Sequence, residues 1–298
     1  MTFSILARDP DNGELGVAVA TRWPAVGAIV PWVEPGVGAV ATQSFTNVGL
    51  GPRGLAAMRG GLAPSDALVV LLADDPEPES RQVALVDATG RAAGHTGSAC
   101  VAVAEHICED DVSVQGNMLV RPEVLPLMLE SFHGTTGDLA ERLVAAMRAG
   151  ERAGGDVRGR SSAALLVAPG TRGASAYDRR FDLRVDAASH PLDELARLLT
   201  LARAYEALDA AIAAGERDDS AAALVGTTAA RALAPDDAHV AYWHALALAA
   251  NGDSAEARSV YRMALRVEPR LEDFGSRFMA AGHGAGFAGA MESLRDPD

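Results

Sequence analysis

Met1-Thr2-Phe3-Ser4-Ile5-Leu6-Ala7-Arg8-Asp9 opens the chain, and the fold is built outward from this stretch. Residues 3–8 have the apolar, strand-like character of a first β-strand. The turn Asp9-Pro10-Asp11-Asn12-Gly13 comes next, since Pro fixes φ and Asn-Gly accepts positive φ. Residues 15–20, Leu-Gly-Val-Ala-Val-Ala, then return as the second strand of a hairpin. Thr2 is small enough for an aminopeptidase to remove the Met before it. Removal leaves a hydroxyl and a free α-amine on one residue. With an amine pKa of ~7.7–8.0, a useful fraction is neutral near pH 7 and can act as base for that hydroxyl. The same letters also suit an ordinary first strand.

Further along, residues 28–33 predict a strand interrupted at Pro31, and residues 37–43 another. From 51 to 72 the apolar residues Leu55, Met58, Leu62, Leu68, Val69 and Leu72 fall at helical spacings, with a cap at Ala63-Pro64-Ser65-Asp66. A hairpin is expected over 83–87 and 92–95, and a strand over 111–119. Helices come next at 122–132 and 138–149, and the last strands at 162–167 and 181–185. Sheet, helix pair, sheet, helix pair, sheet is the order of two sheets packed face to face with a helical layer outside each.

After His190-Pro191 the composition turns to Ala, Leu, Arg and acidic residues with helical periodicity. One long helix is expected over 193–214. Residues 238–269 match the tetratricopeptide pattern of helix, Asn-Gly turn, helix and closing Pro, with a weaker unit at 221–235. A lone unit cannot bury its own face, so it is expected to lean on the first domain or on a second subunit. The division is thus 1–190 and 191–298.

The 298 residues are 49% hydrophobic but only 5% aromatic, so the core is built of small aliphatic side chains. A net charge of −14 disfavours nucleic acid and anionic membranes as partners, because phosphates are repelled. Charged residues Arg8, Asp9, Asp11 and Glu14 interrupt the first twenty positions, and no apolar run approaches ~18 residues. A cytoplasmic protein is expected. Cys100 and Cys108 are too few for a disulfide framework. His95, His106 and His133 lack ligand spacing, so no metal and no cofactor is expected. All 26 basic residues are Arg, which removes lysine bases and Schiff bases from consideration.

Four clusters are candidates for chemistry. Thr2 shares the opening sheet with Arg22 and Gln43-Ser44; Arg22 is the candidate cation beside the amine. Gly94-His95-Thr96-Gly97-Ser98-Ala99-Cys100 is dense in small and hydroxyl residues, with His95 and Thr96 as polar contacts to a ligand. A serine or cysteine hydrolase at Ser98 or Cys100 lacks the Gly-x-Ser-x-Gly elbow. In Gln115-Gly116-Asn117, Asn117 is a candidate oxyanion donor, although a plain turn uses the same letters. Gly154-Gly155-Asp156-Val157-Arg158-Gly159-Arg160-Ser161-Ser162 enters a strand, and Asp156, Arg158 and Ser162 are candidates to orient the terminus. That stretch does not satisfy the GxGxxG phosphate fingerprint.

Taken with Gly16-Val17-Ala18-Val19-Ala20, Ala25-Val26-Gly27-Ala28, residues 36–43, Gly51-Pro52-Arg53-Gly54-Leu55 and Gln115-Gly116-Asn117-Met118-Leu119, these motifs resemble the DUF1028 family over roughly residues 1–190. The C-terminal part is similar to the helical segment that often accompanies the family and has been called peptidoglycan-binding. The resemblance implies an N-terminal-nucleophile hydrolase fold: α+β, a four-layer αββα sandwich followed here by a small all-α tetratricopeptide-like domain. It carries no substrate. In proteasome-like relatives a lysine beside the nucleophile lowers the amine pKa, and this chain has none.

The expected activity is hydrolysis of a small amide or peptide-like C–N bond by Thr2. The rival is a catalytically degenerate sandwich serving as an interaction module through its helical repeat. A small-molecule amide is the expected partner, and the undersized repeat and acidic surface are compatible with a homodimer.

Overall fold

The computed structural model describes residues 2–173 and 175–295; Met1, whose removal would free the Thr2 amine, lies outside them. Two antiparallel sheets organise the first part. β1 (Thr2–Arg8) and β2 (Leu15–Thr21) form the expected hairpin, whose turn is closed by Gly13 N–H on the Asp9 carbonyl at φ 76 for Gly13. β3 (Pro31–Glu34) and β4 (Gly38–Ser44) start a second sheet, and α1 (Leu50–Arg59) and α2 (Pro64–Ala73) come after them. Next are β5 (Arg81–Asp87), β6 (Ala92–Thr96), β7 (Glu105–Glu109) and β8 (Val112–Asn117). The helices α3 (Val124–Gly134) and α4 (Leu139–Arg152) precede β9 (Ser162–Ala168) and β10 (Phe181–Val185).

The six-stranded sheet runs β10-β9-β2-β1-β8-β7 and the four-stranded sheet β3-β4-β5-β6. β1 sits inside the larger sheet and is buried on both faces. Its even residues point to the other sheet: Leu6 packs in one cluster with Ala39, Ala41, Ala84 and Val86. Its odd residues meet the helices, where a Cβ on Gly150 of α4 would lie 3.2 Å from the Phe3 ring. On the outer face of the smaller sheet, Leu55, Met58, Leu68 and Leu71 of α1 and α2 cover Val40, Val83 and Leu85. These clusters are made mostly of Val, Ala and Leu, as a chain poor in aromatics requires. Removing them from water, at ~25 cal/mol per Å², is the main force holding the layers together.

Three elements differ from expectation. Residues 26–28 form a 3-10 turn, and the strand begins only at Pro31, whose missing N–H is tolerated because β3 is a sheet edge. β7 was not anticipated; it too is an edge strand, exposed at both ends. The expected strand at 111–119 stops at Asn117, where Met118 turns left-handed at φ 50.

The chain divides into two compact units, one up to Arg197 and one from Leu198, within α5 (Pro191–Glu216). The second unit holds α6 (Ser220–Leu233), α7 (Ala238–Ala250), α8 (Ser254–Val267), α9 (Leu271–Ala280) and α10 (Ala288–Arg295). Asp219, Asp237 and Asp253 cap α6, α7 and α8 by accepting backbone N–H bonds, which satisfies donors the helices leave open. α7 and α8 are the expected hairpin, joined through Gly252 at φ 87. Helices of its own unit cover part of its face, where the first domain or a second subunit was expected to: α6 and α10 pack on α7, and Phe287 meets the Trp243 ring edge-on at 5.4 Å. No helix among the described residues is long and apolar enough to cross a membrane.

Candidate functional site

Thr2 begins β1 with Thr21 of β2 opposite on one side and Asn117 of β8 on the other. Its side chain belongs to the face turned toward the second sheet, and its hydroxyl donates to Thr21 Oγ1 at 3.2 Å. It lines a pocket of about 360 Å³ with Thr21, Ser44, Thr46 and Arg158 as further polar groups. Val26, Ile29 and Val30 form the apolar wall, and the exposed Trp23 and Phe45 stand at the rim. Larger and smaller hollows exist elsewhere, but this one holds the candidate nucleophile.

Behind Thr2 a file of amides crosses between the sheets. Gln43 Nε2 donates to the Thr2 carbonyl at 3.2 Å and to Gln82 Oε1 at 2.8 Å, while its Oε1 accepts from Ser4 Oγ at 2.8 Å. Gln82 Oε1 also accepts from Asn117 Nδ2 at 2.9 Å, and its Nε2 donates to the Gly116 carbonyl at 2.8 Å. Gln115 Nε2 donates to the Ala41 carbonyl at 3.0 Å. In such a dry place a paired amide is held firmly and an unpaired one is costly. Gln82 was not among the residues expected from sequence; the signal available was an uncharged amide beside the apolar run Val83-Ala84-Leu85-Val86.

The predicted residues separate into groups. Thr2 and Arg158 line the pocket, and Gln43 holds the Thr2 backbone. Asn117 is beside Thr2 in register, but its Nδ2 is engaged by Gln82 and it does not line the pocket. The expected donor into the site is therefore a support of the amide file. Asp156 does not orient Thr2 by contact: its carboxylate accepts from Arg22 N at 3.0 Å and Arg158 N at 2.7 Å and pairs with the Arg158 guanidinium at 3.3 Å. It ties the 154–160 loop to the end of β2. Ser162 donates to the Trp23 carbonyl at 2.5 Å and accepts from Val26 N at 3.2 Å, so it holds the pocket wall at 23–26. Arg22 is exposed and its stem lies beside Gly159, so the cation at the pocket is Arg158 and not Arg22.

His95 and Thr96 lie on β6 and do not line the pocket. His95 Nε2 is 3.0 Å from the Pro78 carbonyl, and Thr96 Oγ1 joins Gln82 to His106 Nδ1. Burial, then the nearby His95, keep the His106 imidazole below its ordinary pKa. Ser98 donates to Glu79 at 2.6 Å, with no His in that pair. The Cys108 thiol is half-buried and burial pushes it up, which suits an inert thiol. Among the described residues no group of three or more His, Cys, Asp or Glu side chains is arranged to hold a metal ion.

The wall of the pocket at residues 44–46 has its own anchor. Arg81 donates to the Phe45 carbonyl at 2.7 Å and to Asp75 at 3.0 Å, and Asn47 Nδ2 donates to Asp75 at 2.7 Å. Burial pushes the Asp75 carboxyl up, but hydrogen bonds from Asn47, the Glu77 N–H and Arg81 outweigh it and hold the group below its ordinary value.

No curated protein matches the chain. The crystal structure of protein SPO2555 from Silicibacter pomeroyi, titled with the same family, is similar at 32% identity and a TM-score of 0.61, over 66% of this chain and 87% of that one. The family model described as a family of unknown function, DUF1028, matches residues 2–195, the whole length of the two sheets and their helices. The chain belongs to the DUF1028 family.

Proposed function

We propose that the chain is an N-terminal-nucleophile amidohydrolase that cleaves the C–N bond of a small amide in the cytoplasm, with Thr2 as nucleophile. The supporting observation is that the Thr2 hydroxyl, at the start of a central strand whose carbonyl is held by Gln43, opens onto a mostly apolar pocket. Helices outside two facing sheets agree with the αββα sandwich of that class. The C-terminal helices are read as tetratricopeptide-like.

In this reading Met1 is removed and the Thr2 amine takes the Oγ proton as Oγ adds to the substrate carbonyl. The C–N bond breaks and the leaving amine departs with that proton, leaving an ester on Thr2. Water then adds to the ester, its proton passing through the amine back to Oγ. The carboxylic acid leaves and the hydroxyl is restored. Arg158, always protonated, favours the neutral amine, the task a lysine serves in proteasome-like relatives. No cofactor enters these steps.

A panel of primary amides and anilides tests the reading. Thr2→Ala is expected to abolish turnover with an unchanged melting curve. Undiminished turnover in that variant refutes it.

A further inference from the structure

The pocket beside Thr2 is asymmetric. Val26 and Val30, each 1% exposed, are the buried part of its lining, and Trp23 and Phe45, 63% and 55% exposed, are the part that faces solvent. An acyl group must stay bound while its ester on Thr2 awaits water, whereas the amine has to leave. The buried apolar part therefore suits the acyl chain and the solvent-facing part suits the leaving amine.

A tetrahedral intermediate also needs a donor for its oxyanion, and Asn117 does not line the pocket. Ser44 is the alternative in the same pocket. Its backbone is held left-handed at φ 70, uncommon for serine, and its Oγ is buried with no hydrogen-bond partner among the described residues. Strained backbone and an unsatisfied buried hydroxyl recur where a ligand completes the hydrogen bonding.

Resting on the amidohydrolase reading, we propose that the site takes amides with a short apolar acyl chain seated against Val26 and Val30, and that the Ser44 hydroxyl meets the carbonyl oxygen. Arg158 already pairs with Asp156 and is not required to pair with a substrate carboxylate.

The test is binding of acetamide, butanamide and hexanamide to the Thr2→Ala protein, monitored by calorimetry or chemical-shift titration, with hydrolysis by the unaltered protein measured separately. Affinity is expected to rise about fourfold per added methylene until the pocket is filled. It is expected to fall about fivefold when Ser44→Ala is added, with the chain-length slope unchanged. Affinity independent of chain length, or indifferent to Ser44→Ala, overturns the proposal even if amides are hydrolysed. Graded, Ser44-dependent binding without hydrolysis sustains it and removes the catalytic reading instead.

Discussion

Gln43 on one sheet donates through Nε2 to the backbone carbonyl of Thr2 on the other, 3.2 Å away, and by the same nitrogen to Gln82 Oε1. The start of β1 is thus fixed by its neighbours in its own sheet and by a side chain from the facing sheet. Gln43 and Gln82 lie opposite each other in register on β4 and β5, so the anchor is itself part of a ladder.

Gln43→Leu takes the acceptor from the buried Ser4 hydroxyl and the side-chain donor from the buried Thr2 carbonyl, while Gln82 Oε1 keeps Asn117. Each such group costs ~1–3 kcal/mol, so the variant is expected to lose at least about 2 kcal/mol in a urea titration. Ser4→Ala removes one hydroxyl and is expected to cost about 1 kcal/mol. Equal midpoints for the two variants contradict the cross-sheet role.

Asp75 binds Arg81 and Asn47 beside the wall at 44–46, and its carboxyl is held below its ordinary value of 3.8. A depressed acid contributes stability that is fully present above the unfolded value and is lost as pH falls through the folded one. Stability is therefore expected to drop below about pH 4, and less steeply in Asp75→Asn. At pH 7 that variant is expected to be weaker by ~3 kcal/mol, because the buried Arg81 charge keeps only the looser Glu77 carboxylate, 3.5 Å away. Parallel acid melts of the two proteins decide it.

Arg158 lines the Thr2 pocket, so Arg158→Gln is expected to raise the amine pKa and shift the alkaline-rising limb of the rate profile up by about one pH unit. An unmoved limb shows that the guanidinium does not act on the amine.

In the second unit, Trp243 is 1% exposed and packs edge-on with Tyr242, Phe278 and Phe287. Trp243→Ala is expected to cost ~3–5 kcal/mol by the cavity it leaves, read as early hydrogen exchange across α7 and α8. Protection retained in both helices contradicts that packing account.

Much of the layer order was legible in the sequence because buried strands and amphipathic helices carry different periods, as in Leu15–Thr21 against Leu139–Arg152. β7 was not, since Glu105-His106-Ile107-Cys108-Glu109 is an edge strand with mixed exposure and no clean alternation. α9 and α10 were missed beyond Pro269, where the glycines at 282, 284 and 286 punctuate the chain and hide the short helices around them. At the site, Thr2, Gln43 and Arg158 stood out by residue type. The direction of Asn117, Asp156 and Ser162 did not, because side-chain aim depends on strand register and on loop backbone that composition does not carry. Arg22 and Arg158 look alike in sequence; only the fold separates an exposed stem from one at the pocket.

The most direct test is mass spectrometry of the N-terminal peptide before and after exposure to a β-lactone, which acylates an activated hydroxyl. The account predicts a peptide that begins at Thr2 and gains the lactone mass on Thr2. A peptide that retains Met1, or one that begins at Thr2 and stays unlabelled, contradicts it.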